Sequence, residues 1–285
     1  MFVFDVFLIW KKVSHSLRRS LVGKRRLHVA NYSFGVEALP RRLPRIIWIY
    51  WDKPLEEAPD VVQAAVSSWR RKNPQWDVRV LTDADLVRYV TLPQSGRGPR
   101  RIQWKADMIR VALLAAHGGV WVDATAFCVR PLEDWLPPLM QSGFFAFEDP
   151  YPGRCMQNWF LAAAPGNPLV TRWLAQMARY WRKDGKLLHY FWVMHMFEFV
   201  VRTDRTAAEI WARTPKLSPK GPSLLKRLIT QKDLAEPIPD AVDLHAIPVL
   251  KISSSTRSDD PEFNAAIAER RDIDLAVMVA RLLAR

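Results

Sequence analysis

Apolar residues first cluster in RIIWIYW, Arg45 to Trp51, a continuous run bounded by prolines that reads as a strand buried on both faces. Pro54 and Pro59 break the chain after it. From Asp60 to Lys72 the period changes: Val62, Ala65, Val66 and Trp69 recur at helical spacing, and Asn73-Pro74 stops that helix. WDVRVL, Trp76 to Leu81, alternates as a short strand, and Thr82 with Asp85 three residues on predicts a helix start. A Gly/Pro-rich basic loop, TLPQSGRGPR, leads into a long helix from Ile102 to His117. Its core stripe is Ile102, Ala106, Ile109, Leu113 and Ala116. Gly118-Gly119 ends it, and Val120 to Val122 makes a short buried strand. Further apolar runs lie at Phe144–Phe147 and Trp159–Ala164, followed by helical segments near Pro168–Arg182, Leu187–Val200 and Ala265–Leu283.

Strands alternating with helices predict an α/β fold with a mainly parallel sheet flanked by helices, followed by a helical C-terminal half. No Gly/Ser-rich linker divides the 285 residues, so residues 41–285 read as one domain and residues 1–40 as a tail. The composition, 49% hydrophobic and 25% charged, excludes disordered and fibrous classes. Two cysteines, Cys128 and Cys155, exclude a disulfide scaffold, make no zinc motif, and read as free thiols in a reducing compartment.

Charge changes the picture at the N-terminus. The net charge of +13 attracts polyanions or anionic surfaces. MFVFDVFLIW is too short to span a bilayer, and the basic run after it reverses the order found in signal peptides. An interfacial anchor fits: the apolar residues enter the headgroup region, and Lys11, Lys12, Arg18, Arg19, Lys24, Arg25 and Arg26 lie over anionic lipid. A helix packed on the domain with a solvated basic face is the alternative.

The block Gln103–Thr125, QWKADMIRVALLAAHGGVWVDAT, carries the candidate chemistry. Asp107 and Arg110 are three apart on the long helix and share a face beside its core stripe, which places them at a rim. Asp123 emerges at the end of the strand after the double glycine, and in open α/β sheets ligands bind outside the carboxyl ends of strands. Taken separately, each piece has an ordinary reading: a surface ion pair, a helix cap, a turn residue.

Together, these elements resemble the glycosyltransferases with a DXD motif, and most closely the capsular polysaccharide synthesis proteins related to glycosyltransferase family 32. The matching elements are Ile46-Ile47 with Trp51, Ser68-Trp69 to Asn73-Pro74, Ala106-Asp107 with Arg110, and Gly118-Gly119 with Asp123. The resemblance covers Pro44 to Asp134 well and the rest loosely. It implies a GT-A-like fold and roles for single residues. Trp51 stacks on the donor base, Asp107 accepts from sugar or ribose hydroxyls, and Arg110 binds hydroxyls or phosphates. Asp123 holds the ribose or a metal-bound water. Asp107, Arg110 and Asp123 are thus the catalytic set. Ile47, Gly119, Trp121, Asn158 and Lys251 complete the donor-binding set, with Lys251, in the segment KISSSTR, as a cation over the diphosphate.

One position departs from the motif. It reads Asp123-Ala124-Thr125, so a hydroxyl stands where the second acid is the usual metal ligand. Hard divalent ions prefer carboxylate. A divalent metal, Mn²⁺ or Mg²⁺, held by Asp123 and Thr125 with help from the donor diphosphate remains the expectation. Glu148 and Asp149 border the acceptor site or are solvated; His189 and His195 read as packing residues.

The resulting expectation is transfer of a sugar from a nucleotide-sugar donor, UDP-linked, to a surface polysaccharide or lipid-linked glycan, with retained configuration. The enzyme would be cytoplasmic, peripheral on the membrane face. A non-catalytic scaffold of a capsule-assembly complex is the rival. Nucleic-acid binding is disfavoured because the basic residues are not interleaved with aromatics in a recognised module.

Overall fold

Strand β1, Ile46–Tyr50, is buried on both faces, as its unbroken apolar run requires: Ile47 and Ile49 point into one core, Trp48 and Tyr50 into another. The computed structural model describes residues 6–7, 43–93, 102–148, 155–181, 190–231, 243–256 and 258–283. Apart from Val6 and Phe7, the basic tail lies outside these residues, as do positions 94–100 of the predicted loop, Asp149 and the start of the helix expected at Leu187. Phe7 packs edge-on against Phe199, ring centroids 5.7 Å apart.

Helix α1, Asp60–Lys72, buries Val62, Ala65, Val66 and Trp69. Trp69 also donates its indole N–H to the Ala126 carbonyl at 2.7 Å, so its removal loses both packing and a buried hydrogen bond. Asn73 stops the helix by bonding back to the Trp69 carbonyl and accepting from Leu132 N–H. β2, Asp77–Leu81, pairs parallel with β1. Helix α2, Ile102–His117, and strand β3, Gly119–Val122, follow, with β3 parallel to β1 on its other side. Then come β4, Ala126–Cys128, β5, Phe144–Glu148, and β6, Met156–Ala163.

The main sheet has the order β2-β1-β3-β6-β5, with β6 antiparallel to both neighbours, so four strands point one way and β6 opposes them. Helices α3, Pro168–Trp181, α4, Trp192–Thr203, and α5, Arg205–Arg213, pack with α2 on the Trp48 face. Helix α6, Leu224–Gln231, strand β7, Val249–Lys251, and helices α7, Pro261–Ala268, and α8, Leu275–Leu283, join α1 on the Ile47 face. The result is helix, sheet, helix: the expected α/β class.

Three local expectations differ. Ile102 and Ala116, expected on the core stripe of α2, are exposed at its two ends. The start at Thr82 produces only a single 3₁₀ turn, Leu86–Arg88, although the Asp85 carboxylate does accept from the Thr82 N–H and hydroxyl at 2.9 and 2.8 Å. The helix expected over Ala265–Leu283 is two helices. Four charged residues, Glu269–Asp272, interrupt its apolar face, Arg270 takes a positive φ of 55°, and Lys72 pairs with Asp272 at 2.6 Å to hold the break against α1.

Candidate functional site

The carboxyl ends of β1 and β3 open into a cavity of about 630 Å³. Trp51 and Asp52 follow β1 into its wall; Asp107 and Arg110 enter from α2; Trp121, Asp123 and Thr125 come from β3 and the turn after it. Asn158 and Trp159 project from β6, Tyr190 and Phe191 from the turn before α4, Val193 and Met194 from its first turn, and Lys251 from β7.

Asp123 is placed by two backbone bonds. Its N–H donates to the Trp159 carbonyl and its own carbonyl accepts from Ala126 N–H, both at 2.8 Å, closing the turn that leads into β4. The register of β4 with β7 then pairs Ala126 with Lys251, which brings a lysine 128 positions away in the chain beside Asp123.

Charges converge here. Arg110 lies 3.3 Å from Asp107 Oδ1 and 3.4 Å from Asp123 Oδ1, over the ring of Trp121, and donates to the Asn158 carbonyl at 2.6 Å. The Asn158 side-chain amide donates to Asp107 at 2.9 Å. The Lys251 ammonium lies 3.1 Å from Asp123 Oδ2 and donates to Thr125 Oγ1 at 2.7 Å. The two carboxylates feel opposite balances. Burial pushes the Asp107 carboxyl up to about 7, against the pull of Arg110, and the Asp123 charge adds to the rise. Burial also raises Asp123, but Lys251 and Arg110 together outweigh it and hold that carboxyl below its ordinary value.

Of the residues singled out in the sequence, Trp51, Asp107, Arg110, Trp121, Asp123, Thr125, Asn158 and Lys251 line this one cavity. Asp107 and Arg110 are 6% and 5% exposed, inside rather than at a rim, because β6 and α4 cover that face of α2. Ile47 and Gly119 lie elsewhere. Ile47 is fully buried beneath the sheet, and Gly119 (φ +92°) sits where a Cβ would stand 2.6 Å from the Ile46 carbonyl oxygen. Both build the β1–β3 contact and neither lines this cavity. Glu148 is exposed at the end of β5 and His195 is buried in α4, neither on the cavity wall.

The sequence reading missed Tyr50, Trp104, Tyr190 and Phe191, which supply much of the aromatic wall. Trp104 lies within the segment Gln103–Thr125, one turn before Asp107, and that spacing is its signal in the sequence. Nothing local marks Tyr190 and Phe191. Trp192 beside them is fully buried, close enough to lower the Asp107 pKa, yet its indole N–H makes no hydrogen bond of ordinary geometry.

Asp123 and Thr125 do not fit a protein-held divalent ion. The Lys251 ammonium already bridges them, and Arg110 takes the second Asp123 oxygen. Among the described residues no three His, Cys, Asp or Glu side chains gather as a metal site.

Residues 11–262 match the family described as capsular polysaccharide synthesis protein. Among curated proteins, the chain is 32% identical over 162 residues to the O-glycosyltransferase braB of Annulohypoxylon truncatum, covering 49% of this chain and 38% of that one. It is 31% identical over 151 residues to the glycosyltransferase afumC of Aspergillus fumigatus, covering 45% and 38%. It is 26% identical over 148 residues to inositol phosphoceramide mannosyltransferase 1 of Schizosaccharomyces pombe, covering 49% and 44%. The chain thus spans about two fifths of the length of these relatives. A solved structure titled PaToxG Glycosyltransferase aligns with a TM-score of 0.42 at 12% identity, over 60% of this chain and 73% of that one, too distant to carry a function.

Proposed function

This chain belongs to the capsular polysaccharide synthesis protein family, and we propose that it is a glycosyltransferase whose nucleotide-sugar donor binds in the cavity around Asp107, Arg110 and Asp123. The observation that carries this reading is the meeting of an acid–arginine pair from a helix and a strand-end carboxylate in one aromatic-walled cavity. Its volume suits a nucleotide-sized ligand. The names of the three relatives, all glycosyl- or mannosyltransferases, support the same class.

The residues divide the work by their surroundings. Trp51, half-buried at the end of β1, offers a ring face to a base. Asp123, ionised and 25% exposed at its side chain, accepts from ribose or sugar hydroxyls. Arg110, enclosed by two carboxylates and a carbonyl, positions Asp107 and Asp123 rather than reaching the phosphates itself. The donor is a UDP-linked hexose, the acceptor a surface polysaccharide or its lipid-linked precursor, and configuration is retained.

Among the described residues no helix is long and apolar enough to cross a membrane. Residues 1–40 are a tail ahead of a catalytic domain at 41–285, and its basic residues hold the enzyme on the cytoplasmic face of an anionic membrane. Deleting Met1 to Arg26 should therefore release the protein from the membrane fraction.

A melting-temperature panel of UDP-, GDP- and dTDP-linked hexoses tests the function. A donor at 100 times its dissociation constant adds about 2.7 kcal/mol of stability. One donor class should raise the midpoint of the wild type and the others should not. Absence of any shift across the panel, with and without Mn²⁺, would refute the glycosyltransferase reading.

A further inference from the structure

Sugar transfer leaves negative charge on a departing diphosphate, and some cation must meet it. The pair Asp123 and Thr125 does not fit a divalent ion, and the reason is a side chain. Lys251 reaches in from β7, fixed by the Ala126 pairing and by its own N–H donating to the Pro222 carbonyl at 2.7 Å. Two of the three protons on its ammonium go to Thr125 Oγ1 and Asp123 Oδ2, and the group lines the cavity with its third donor left for a ligand.

We propose that Lys251 is a catalytic residue that takes the place of the divalent metal, so that this chain binds its donor diphosphate and transfers sugar without one. The proposal rests on the glycosyltransferase reading and deepens it. Thr125 becomes intelligible on these terms. A hydroxyl accepts from an ammonium without adding charge, so Asp123 alone balances Lys251 on that side while Arg110 balances the other oxygen. A metal brought to Asp123 would meet two protein cations within 3.4 Å of the same carboxylate. Burial lowers the Lys251 pKa, and Asp123 opposes that fall.

In the reaction, the bond between the anomeric carbon and the β-phosphate oxygen breaks, and its electron pair leaves on that oxygen. The acceptor oxygen forms the new bond to the anomeric carbon, and its proton ends on the released diphosphate. Lys251 pairs with the developing charge and keeps its own protons.

The test uses the full chain with the nucleotide sugar that gives the largest melting shift. In the wild type, EDTA should leave both that shift and the rate of sugar transfer unchanged, and added Mn²⁺ should not raise them. Lys251→Ala should lower the rate about 100-fold, the size of losing one preorganised electrostatic contact, with Lys251→Arg in between. Partial rescue of Lys251→Ala by Mn²⁺ would support the substitution of one cation for another. The proposal is overturned if EDTA abolishes the wild-type shift and Mn²⁺ restores it, or if Lys251→Ala keeps full rate in EDTA. Since the wild-type arm needs no variant, misfolding of Lys251→Ala leaves the test intact. If no nucleotide sugar shifts the midpoint under either condition, the glycosyltransferase reading itself fails and the Lys251 proposal falls with it.

Discussion

Arg110 and Asn158 are tied through both backbone and side chain: the guanidinium donates to the Asn158 carbonyl at 2.6 Å, while the Asn158 amide donates to the same Asp107 oxygen that faces Arg110. The loop joins α2 to β6 and holds two carboxylates about one buried cation. Arg110→Ala should therefore cost about 3–5 kcal/mol, the range for stripping one partner from a buried ion pair. Urea unfolding at pH 7.5 measures it. Part of the loss should return at pH 5, where Asp107 takes up a proton; a loss equal at both values would argue against the electrostatic account.

Asp107 itself gives a pH signature. Its folded-state value near 7 lies above the ordinary carboxylate value of 3.8. The folded protein therefore keeps a proton that the unfolded chain releases first, and the stability from this group is full below about pH 4 and declines as pH rises toward 7. Other acids with depressed values, Asp123 and Asp272 among them, act in the opposite sense. The readout is thus a difference: Asp107→Asn minus wild type should grow in the variant's favour between pH 4.5 and 7, by at most about 1.4 kcal/mol per pH unit. A flat difference would place the Asp107 carboxyl in the ordinary range.

Gly119→Ala probes the β1–β3 contact that carries the cavity. The added methyl would stand 2.6 Å from the Ile46 carbonyl and 3.2 Å from the Trp48 indole nitrogen, at a φ of +92°. Backbone strain alone costs about 1–3 kcal/mol, and the carbonyl cannot move without disturbing β1. A lower melting midpoint should come with weaker donor binding, since Trp51 and Asp123 extend from these two strands. An unchanged midpoint would mean that the strands separate freely.

Much of this was legible because it is local. The extent of α2, the double glycine and the strand after it are contiguous, and hydrophobic period with cap chemistry suffices to read them, although the stripe leaves the core at both ends, where Ile102 and Ala116 are exposed. What escaped depends on partners far apart in the chain. The apolar runs that became β5 and β6 carry no sign of direction, so nothing announced that β6 would run against β3 and cover Arg110. That is why a pair expected at a rim is buried. Likewise Lys251 is expected as a cation over the diphosphate, but only the β4–β7 register shows that it stands between Asp123 and Thr125. Ile47 and Gly119 share the motif but serve the sheet, a distinction that adjacency in sequence conceals.

Cys128 should be chemically silent. Burial pushes its thiol up to about 12, and Asn73 and the Arg130 carbonyl both bond its sulfur. The thiolate is the reactive species. Iodoacetamide at pH 8 should leave Cys128 unlabelled by peptide mass spectrometry until urea unfolds the chain, with half-buried Cys155 as the internal comparison. Native labelling at the rate of a free thiol would show that α1 and β4 open there.

Asp123→Asn separates the positional from the electrostatic role of that carboxylate. The amide keeps nearly the same shape and can still accept from the Trp121 indole, which donates to Asp123 Oδ1 at 3.2 Å. It cannot balance Lys251 and Arg110, so two cations face the cavity with one carboxylate, Asp107, left nearby. A donor diphosphate should then bind as tightly as before or more so, because its negative charge replaces the one removed. Transfer should slow about 100-fold as the hydroxyl contacts that orient the sugar weaken. A low rate with an unchanged or lower KM for the donor is the expected pattern. A raised KM with an unchanged rate would assign Asp123 to ground-state binding alone.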